Sequence, residues 1–282
     1  MRWILPCLIL SSGLQARPEV KHLVLAPTSE MERAELYMWV PNQKIKAVMV
    51  FCPGHNGSGE SFAKSSLWQN FAIENDLALC GLSFASPMSV TEEGKGYSYA
   101  DRGSGMLLLN ALSKEVPEAA HSLYLYGYSA GARFTTSLLA WRPQTVAGWC
   151  ASGVGIWPPL PPASPRPAAG IVACGEFDAG CYWSSLHYFQ LGREKGYPWC
   201  WVSLKDLGHA SSSVLDRFVM NYFALRTKSS HQANNSSEAE VYYDIVTKRR
   251  LDSATANSSP IFAAGLPADT DIVNQWLRIH YP

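Results

Sequence analysis

Short runs of β-branched and other apolar residues recur along the chain at Leu23 to Ala26, Leu36 to Val40, Ala47 to Cys52, Leu77 to Phe84, Leu123 to Tyr126, Ala147 to Ala151, Gly170 to Cys174 and Trp199 to Leu204. From the third run onward each is apolar almost throughout, the pattern of strands buried on both faces of a parallel sheet. Between them, Ser61 to Ile73, Tyr99 to Leu112, Ala130 to Ala140, Ser184 to Arg193 and Ser211 to Leu225 carry apolar residues at helical spacing. These supply the crossovers that parallel strands require. The first two runs are joined by a short polar link and are expected to pair as an antiparallel edge. The chain therefore reads as α/β, with a mostly parallel eight-stranded sheet and helices on both faces.

Two stretches break this alternation. Trp157-Pro158-Pro159-Leu160-Pro161-Pro162, followed by Pro165 and Pro167, is too rich in proline for a helix. It predicts a stiff surface loop, no large lid, and an open cleft. Residues Ser229 to Ser237 are polar and rich in serine and asparagine, as linkers are. Beyond them Tyr242, Tyr243, Ile245, Trp276 and Ile279 are too many large apolar groups for a solvated tail. The expected organisation is a leader over residues 1–16, a catalytic domain over 17–227, and a linker with a C-terminal extension over 228–282 that packs back on the domain.

The leader is read from Arg2, the apolar stretch Ile4 to Leu10, and the small-residue end Ser11-Ser12-Gly13-Leu14-Gln15-Ala16. That three-part layout is a signal peptide cleaved after Ala16, which places the mature protein outside the cytoplasm, secreted or periplasmic. No later stretch is long and apolar enough to span a bilayer. The 23 basic and 23 acidic residues cancel, so no field gathers nucleic acid or an anionic membrane surface. Cys52, Cys80, Cys150, Cys174, Cys181 and Cys200 remain after the leader, without a zinc-type spacing, and no metal or cofactor is expected. Export would permit a disulfide, with Cys181 and either Cys174 or Cys200 as the candidate pair. Asn-x-Ser sequons stand at Asn56, Asn234, Asn235 and Asn257 and matter only in a glycosylating host.

The segment Leu123-Tyr124-Leu125-Tyr126-Gly127-Tyr128-Ser129-Ala130-Gly131-Ala132 sets a G-x-S-x-G motif between an apolar strand and a helix. A strand turning that sharply into a helix strains its central residue, needs small neighbours, and leaves the serine hydroxyl exposed. A serine attacks only when an imidazole takes its proton and a carboxylate holds that imidazole in the right tautomer. The later strand ends offer Gly175-Glu176-Phe177-Asp178 and Gly208-His209. Ser129, Asp178 and His209 thus form the candidate catalytic set in the chain order Ser, Asp, His, with Glu176 as the competing acid. An oxyanion would be met by the N–H groups of Ala130 and of the loop Pro53-Gly54-His55-Asn56-Gly57-Ser58-Gly59, with His55 at the donor position. Trp157, Tyr182 and Trp183 follow strands on the catalytic side and are candidate substrate contacts, although core packing would use them equally well.

The Pro53 to Gly59 loop, Gly127-Tyr128-Ser129-Ala130-Gly131, Gly175-Glu176-Phe177-Asp178 and Gly208-His209 together resemble the α/β-hydrolase superfamily. Within it they are similar to secreted esterases of the polyhydroxybutyrate depolymerase and feruloyl esterase type. The resemblance runs from about Ala47 to Leu225 and implies cofactor-free hydrolysis of a small-molecule or polymeric carboxylic ester by a monomer. Many relatives carry His-Gly in the oxyanion loop where this chain has Pro53-Gly54. A serine peptidase of the same fold and a non-catalytic binding protein are the alternatives. The first normally carries a propeller or cap for which there is no room here, and the second would be expected to have lost a member of the triad.

Overall fold

The computed structural model describes residues 18–229 and 240–280. Its main sheet contains β1 (Lys21–Val24), β2 (Arg33–Trp39), β3 (Ala47–Cys52), β4 (Leu77–Ala85), β5 (Leu123–Tyr128), β6 (Val146–Ser152), β7 (Ala169–Gly175) and β8 (Trp199–Leu204). They lie in the order β1-β2-β4-β3-β5-β6-β7-β8. β1 and β2 pair antiparallel, with Leu23 opposite Leu36, and β2 pairs antiparallel with β4. Every pairing from β4 to β8 is parallel. All nine residues of β4, all seven of β7 and all six of β8 are buried, as the unbroken apolar runs require of strands covered on both faces.

The covering helices are α1 (Glu60–Lys64), α2 (Ser66–Glu74), α3 (Met88–Glu92), α4 (Ser104–Glu115), α5 (Ala130–Trp141), α6 (Tyr182–Glu194) and α7 (Ser213–Ser229). The single helix expected over Ser61 to Ile73 is two, because Ser65 is extended at φ −69° and ψ 119°. The bend brings Phe62 and Trp68 to a ring separation of 4.8 Å and buries both with Phe71. The expected helix from Tyr99 likewise breaks, into a short 3₁₀ turn and α4. Residues 153–168, which include the proline-rich stretch, contain neither helix nor strand.

The C-terminal residues form a separate small sheet of β9 (Glu240–Asp244), β10 (Arg250–Leu251) and β11 (Ala263–Pro267), with α8 (Ser253–Ser258) and α9 (Thr270–His280). β8 is the last strand of the main sheet, so its outer edge would present unpaired backbone groups. Trp276, fully buried on α9, donates its indole N–H to the Trp201 carbonyl at 2.7 Å and so caps that edge. Lys248 lies 4.8 Å from the centre of the Trp276 ring and donates to the Ile245 carbonyl. Burial pulls the Lys248 ammonium down to a pKa of about 8. Among the described residues no helix is long and apolar enough to cross a membrane.

All six cysteines from Cys52 to Cys200 are free, so the candidate pairing of Cys181 with Cys174 or Cys200 is not formed. Cys174 and Cys200 are fully buried on β7 and β8 and serve as small core hydrophobes. The leader, Asn234 and Asn235 lie outside the described residues.

Candidate functional site

The turn from β5 into α5 places Ser129 at φ 54° and ψ −122°, a left-handed conformation that costs a non-glycine residue roughly 1–3 kcal/mol. Its N–H donates to the Ser152 carbonyl at 2.9 Å, and its own carbonyl accepts from the Arg133 N–H at 3.1 Å. The two motif glycines are a packing requirement. A Cβ on Gly131 would stand 2.0 Å from the Cys52 carbonyl oxygen, and one on Gly127 would stand 2.5 Å from the Ala132 Cα. The backbones of β3, β5 and α5 touch at this corner without side chains between them, which is how the serine is pushed out above the sheet.

Beyond β7 the chain turns at once, with the Asp178 N–H on the Gly175 carbonyl at 3.1 Å and the Tyr182 N–H on the Asp178 carbonyl at 2.8 Å. The Phe177 N–H donates to the Leu207 carbonyl at 2.8 Å, tying this turn to the loop after β8 that carries His209. The result is one hydrogen-bonded line. Ser129 Oγ is 2.9 Å from His209 Nε2, and His209 Nδ1 is 2.7 Å from Asp178 Oδ2. An ionised carboxylate can only accept, so Nδ1 carries the proton and the Nε2 lone pair faces the serine hydroxyl. Asp178 is buried, while His209 keeps an exposed edge.

Glu176, the competing acid, is exposed and accepts a hydrogen bond from the Ser203 hydroxyl at 3.1 Å, apart from that line. Two thiols flank the acid: Cys174 Sγ lies 3.8 Å from Asp178 Oδ2, and Cys181 Sγ lies 3.8 Å from His209 Nδ1. Burial pushes both thiols up to a pKa of about 12, so they stay neutral beside the carboxylate. Asp178, Cys181 and His209 are the one grouping among the described residues with atoms close enough to ligate a metal, all within 4.8 Å. A metal there would have to displace the His209–Asp178 hydrogen bond.

The Pro53 to Gly59 loop is held from three sides. Arg33 on β2 donates to the carbonyls of Asn56, at 2.7 Å, and Gly57, at 3.0 Å. The Asn56 side chain exchanges two hydrogen bonds with the Ser86 backbone, and the Asn56 N–H donates to the Tyr97 hydroxyl at 3.1 Å. Asn56, the first sequon, is thus committed to holding its own loop. Neither the His55 nor the Ala130 N–H has an acceptor among the described residues. Ala130 is the first residue of α5, where an N–H has no partner within the helix.

One cavity lies beside the serine turn and another along α5. One, of about 360 Å³, lies against Gly54, Tyr128 and Ser152 and is walled by Trp68, Tyr126 and Asp216. The Tyr126 hydroxyl donates to Asp216 at 2.7 Å, and burial raises the Asp216 carboxyl. The other, of about 510 Å³, runs along α5 from Arg133 to Trp141 under the proline-rich loop. Trp157 lines this second cavity, with one ring face stacked on Tyr188 at 4.2 Å. The structure does not bring the other two aromatic candidates to it. Tyr182 packs edge-on against Trp201 at 5.5 Å with its hydroxyl 3.3 Å from Ser203, and Trp183 is 72% exposed beside it. Sequence reasoning passed over Arg133 and Tyr99, although Arg133 stands one helical turn after Ser129, a spacing that announces proximity.

No family model matches this chain, and no curated protein matches it in sequence. Solved structures do match in fold. A ferulic acid esterase from Anaeromyces mucronatus aligns with a TM-score of 0.57 at 14% identity, over 76% of this chain and 94% of that one. A hyperthermophilic esterase from the archaeon Pyrobaculum calidifontis aligns at 0.55 and 12%, over 77% and 88%. An S-formylglutathione hydrolase from Staphylococcus aureus aligns at 0.53 and 11%, over 76% and 98%. The chain has the α/β-hydrolase fold, with a mostly parallel eight-stranded central sheet.

Proposed function

We propose that this chain is a cofactor-free carboxylic ester hydrolase in which Ser129, His209 and Asp178 form the catalytic triad. The carrying observation is the unbroken line from Ser129 Oγ through His209 to buried Asp178, at 2.9 and 2.7 Å. His209 Nε2 takes the hydroxyl proton as Ser129 Oγ attacks the ester carbonyl, and the buried Asp178 carboxylate stabilises the imidazolium that forms. The N–H groups of Ala130 and His55, which have no acceptor among the described residues, are the donors for the oxyanion. Imidazolium then protonates the leaving alcohol, and an acyl-Ser129 intermediate is hydrolysed by water activated on the same imidazole. That the fold neighbours include two esterases and a formylglutathione hydrolase supports the reading. Cleavage of the leader and action outside the cytoplasm on a polyhydroxybutyrate-like or feruloyl-like ester belong to the same proposal.

Ser129→Ala tests it. Hydrolysis of p-nitrophenyl acetate should fall on the order of 10⁶-fold with the protein still folded. Activity retained by the purified variant would end the reading.

A further inference from the structure

The groove along α5 has a chemistry of its own. Arg133 lines it half-buried, and its guanidinium carbon sits 4.1 Å from the centre of the Tyr99 ring. Burial lowers its pKa. Among the described residues its guanidinium has neither a carboxylate partner nor a hydrogen-bond acceptor. A partly desolvated cation without a counter-ion is expensive to hold. Asp101 also lines the groove, and its charge bears on Arg102. A second lining residue has an unmet donor, because the Trp157 indole N–H is buried without an acceptor. The walls between these donors are Tyr99, Trp141, Trp157, Leu160 and prolines.

The groove also begins in the right place. Arg133 stands one turn after Ser129 on α5, about 6 Å along the helix axis. We propose that the groove receives a carboxylate carried by the substrate, which makes the preferred substrates esters with a free carboxylate several bonds from the scissile bond: monoesters of dicarboxylic acids with an aliphatic or aromatic body. Stacking on Tyr99 occupies the flat face of the guanidinium and leaves its N–H edge for a two-pronged contact with that carboxylate. This rests on Ser129 being the nucleophile, since only then does the distance to Arg133 define a substrate.

Methyl hexanoate and monomethyl adipate differ at one end, a methyl group against a carboxylate, and are the probes. The parent should favour the adipate monoester in kcat/KM. Arg133→Gln should lower the adipate-to-hexanoate ratio of kcat/KM at least tenfold, mainly through KM, and Arg133→Lys should restore part of it. A ratio that stays the same, because both esters fall together or neither changes, would overturn the proposal. Equilibrium binding separates this proposal from the esterase reading. Monomethyl adipate should bind folded Ser129→Ala by calorimetry more tightly than methyl hexanoate, and the advantage should vanish in Ser129→Ala/Arg133→Gln. If the parent hydrolyses neither ester but this difference in binding holds, the esterase reading fails and the carboxylate site stands. If esters are cleaved but the binding difference is absent, the carboxylate site fails alone.

Discussion

The Ser129 corner, over the middle of the main sheet, and the C-terminal extension, on its β8 edge, are held by opposite means. At the corner, backbone meets backbone: Gly131 and Gly127 leave no room for a methyl group, and Ser129 is strained. At the extension, large side chains do the holding. Trp276 is fully buried and capped on the edge of β8, with Lys248 over its ring. The contrast teaches that shape at the corner serves position at a cost in stability, while bulk at the extension adds stability without touching the chemistry. Changes at the first should be read in turnover or in failure to fold, and changes at the second in melting temperature.

The largest effect expected is from Gly131→Ala, because the added methyl meets a main-chain oxygen at 2.0 Å and no side chain can yield. Soluble expression and circular dichroism should show little folded protein, and a native, active variant would break the account of the corner. Next, Asp178→Asn should lose on the order of 10⁴-fold in turnover by leaving His209 in the wrong tautomer. Its melting temperature should stay close to the parent's, and Glu176→Gln should be far milder. If Glu176→Gln is the more damaging change, the acid has been misassigned.

Trp276→Ala should destabilise by about 3–5 kcal/mol in denaturant unfolding, with kcat on a short neutral ester retained. A fall in kcat without loss of stability would erase the contrast between the two regions. The smallest effect concerns Lys248. Its folded pKa, about 8, lies below the ordinary lysine value, so between the two the unfolded chain binds more protons than the folded one. Stability from this residue therefore rises with pH from about 8 toward about 10.4 and is lowest at and below pH 8. Lys248→Met should raise the melting temperature slightly at pH 7 and flatten its rise between pH 8 and 10.

Much of this was legible in the chain, for reasons that differ from residue to residue. Strands β3 to β8 are readable because strands covered on both faces have few polar positions to confuse the period, and β3 and β8 match their expected limits residue for residue. Ser129, Asp178 and His209, which the structure brings into one hydrogen-bonded line, each follow a readable strand, β5, β7 and β8. The break at Ser65 left no mark, since Ser65 carries neither glycine nor proline and its conformation follows from seating Phe62 and Trp68 together. The small C-terminal sheet was invisible as a sheet, because β9 and β10 are short and at best half-buried and so carry no clear apolar period, and the buried β11 is only five residues long. Tyr182 and Trp183 show the limit of position along the chain: both follow a catalytic strand, yet one turns inward against Trp201 and the other outward.

The loop from Pro53 to Gly59 is fastened by Arg33, Ser86 and Tyr97, and the serine turn is bounded by main-chain contacts. Neither can drift through neutral substitution without losing the chemistry. Residues 153–168 form neither strand nor helix, and past the ties of Gly153 to β7 and of Val154 and Trp157 to α6 the hydrogen bond that holds them to the frame runs from the Tyr197 hydroxyl to the Pro161 carbonyl. Descendants of this protein that acquire new substrates, in nature or in a directed-evolution library, should therefore carry their changes and their insertions and deletions there, with residues 53–59 and 127–131 unaltered.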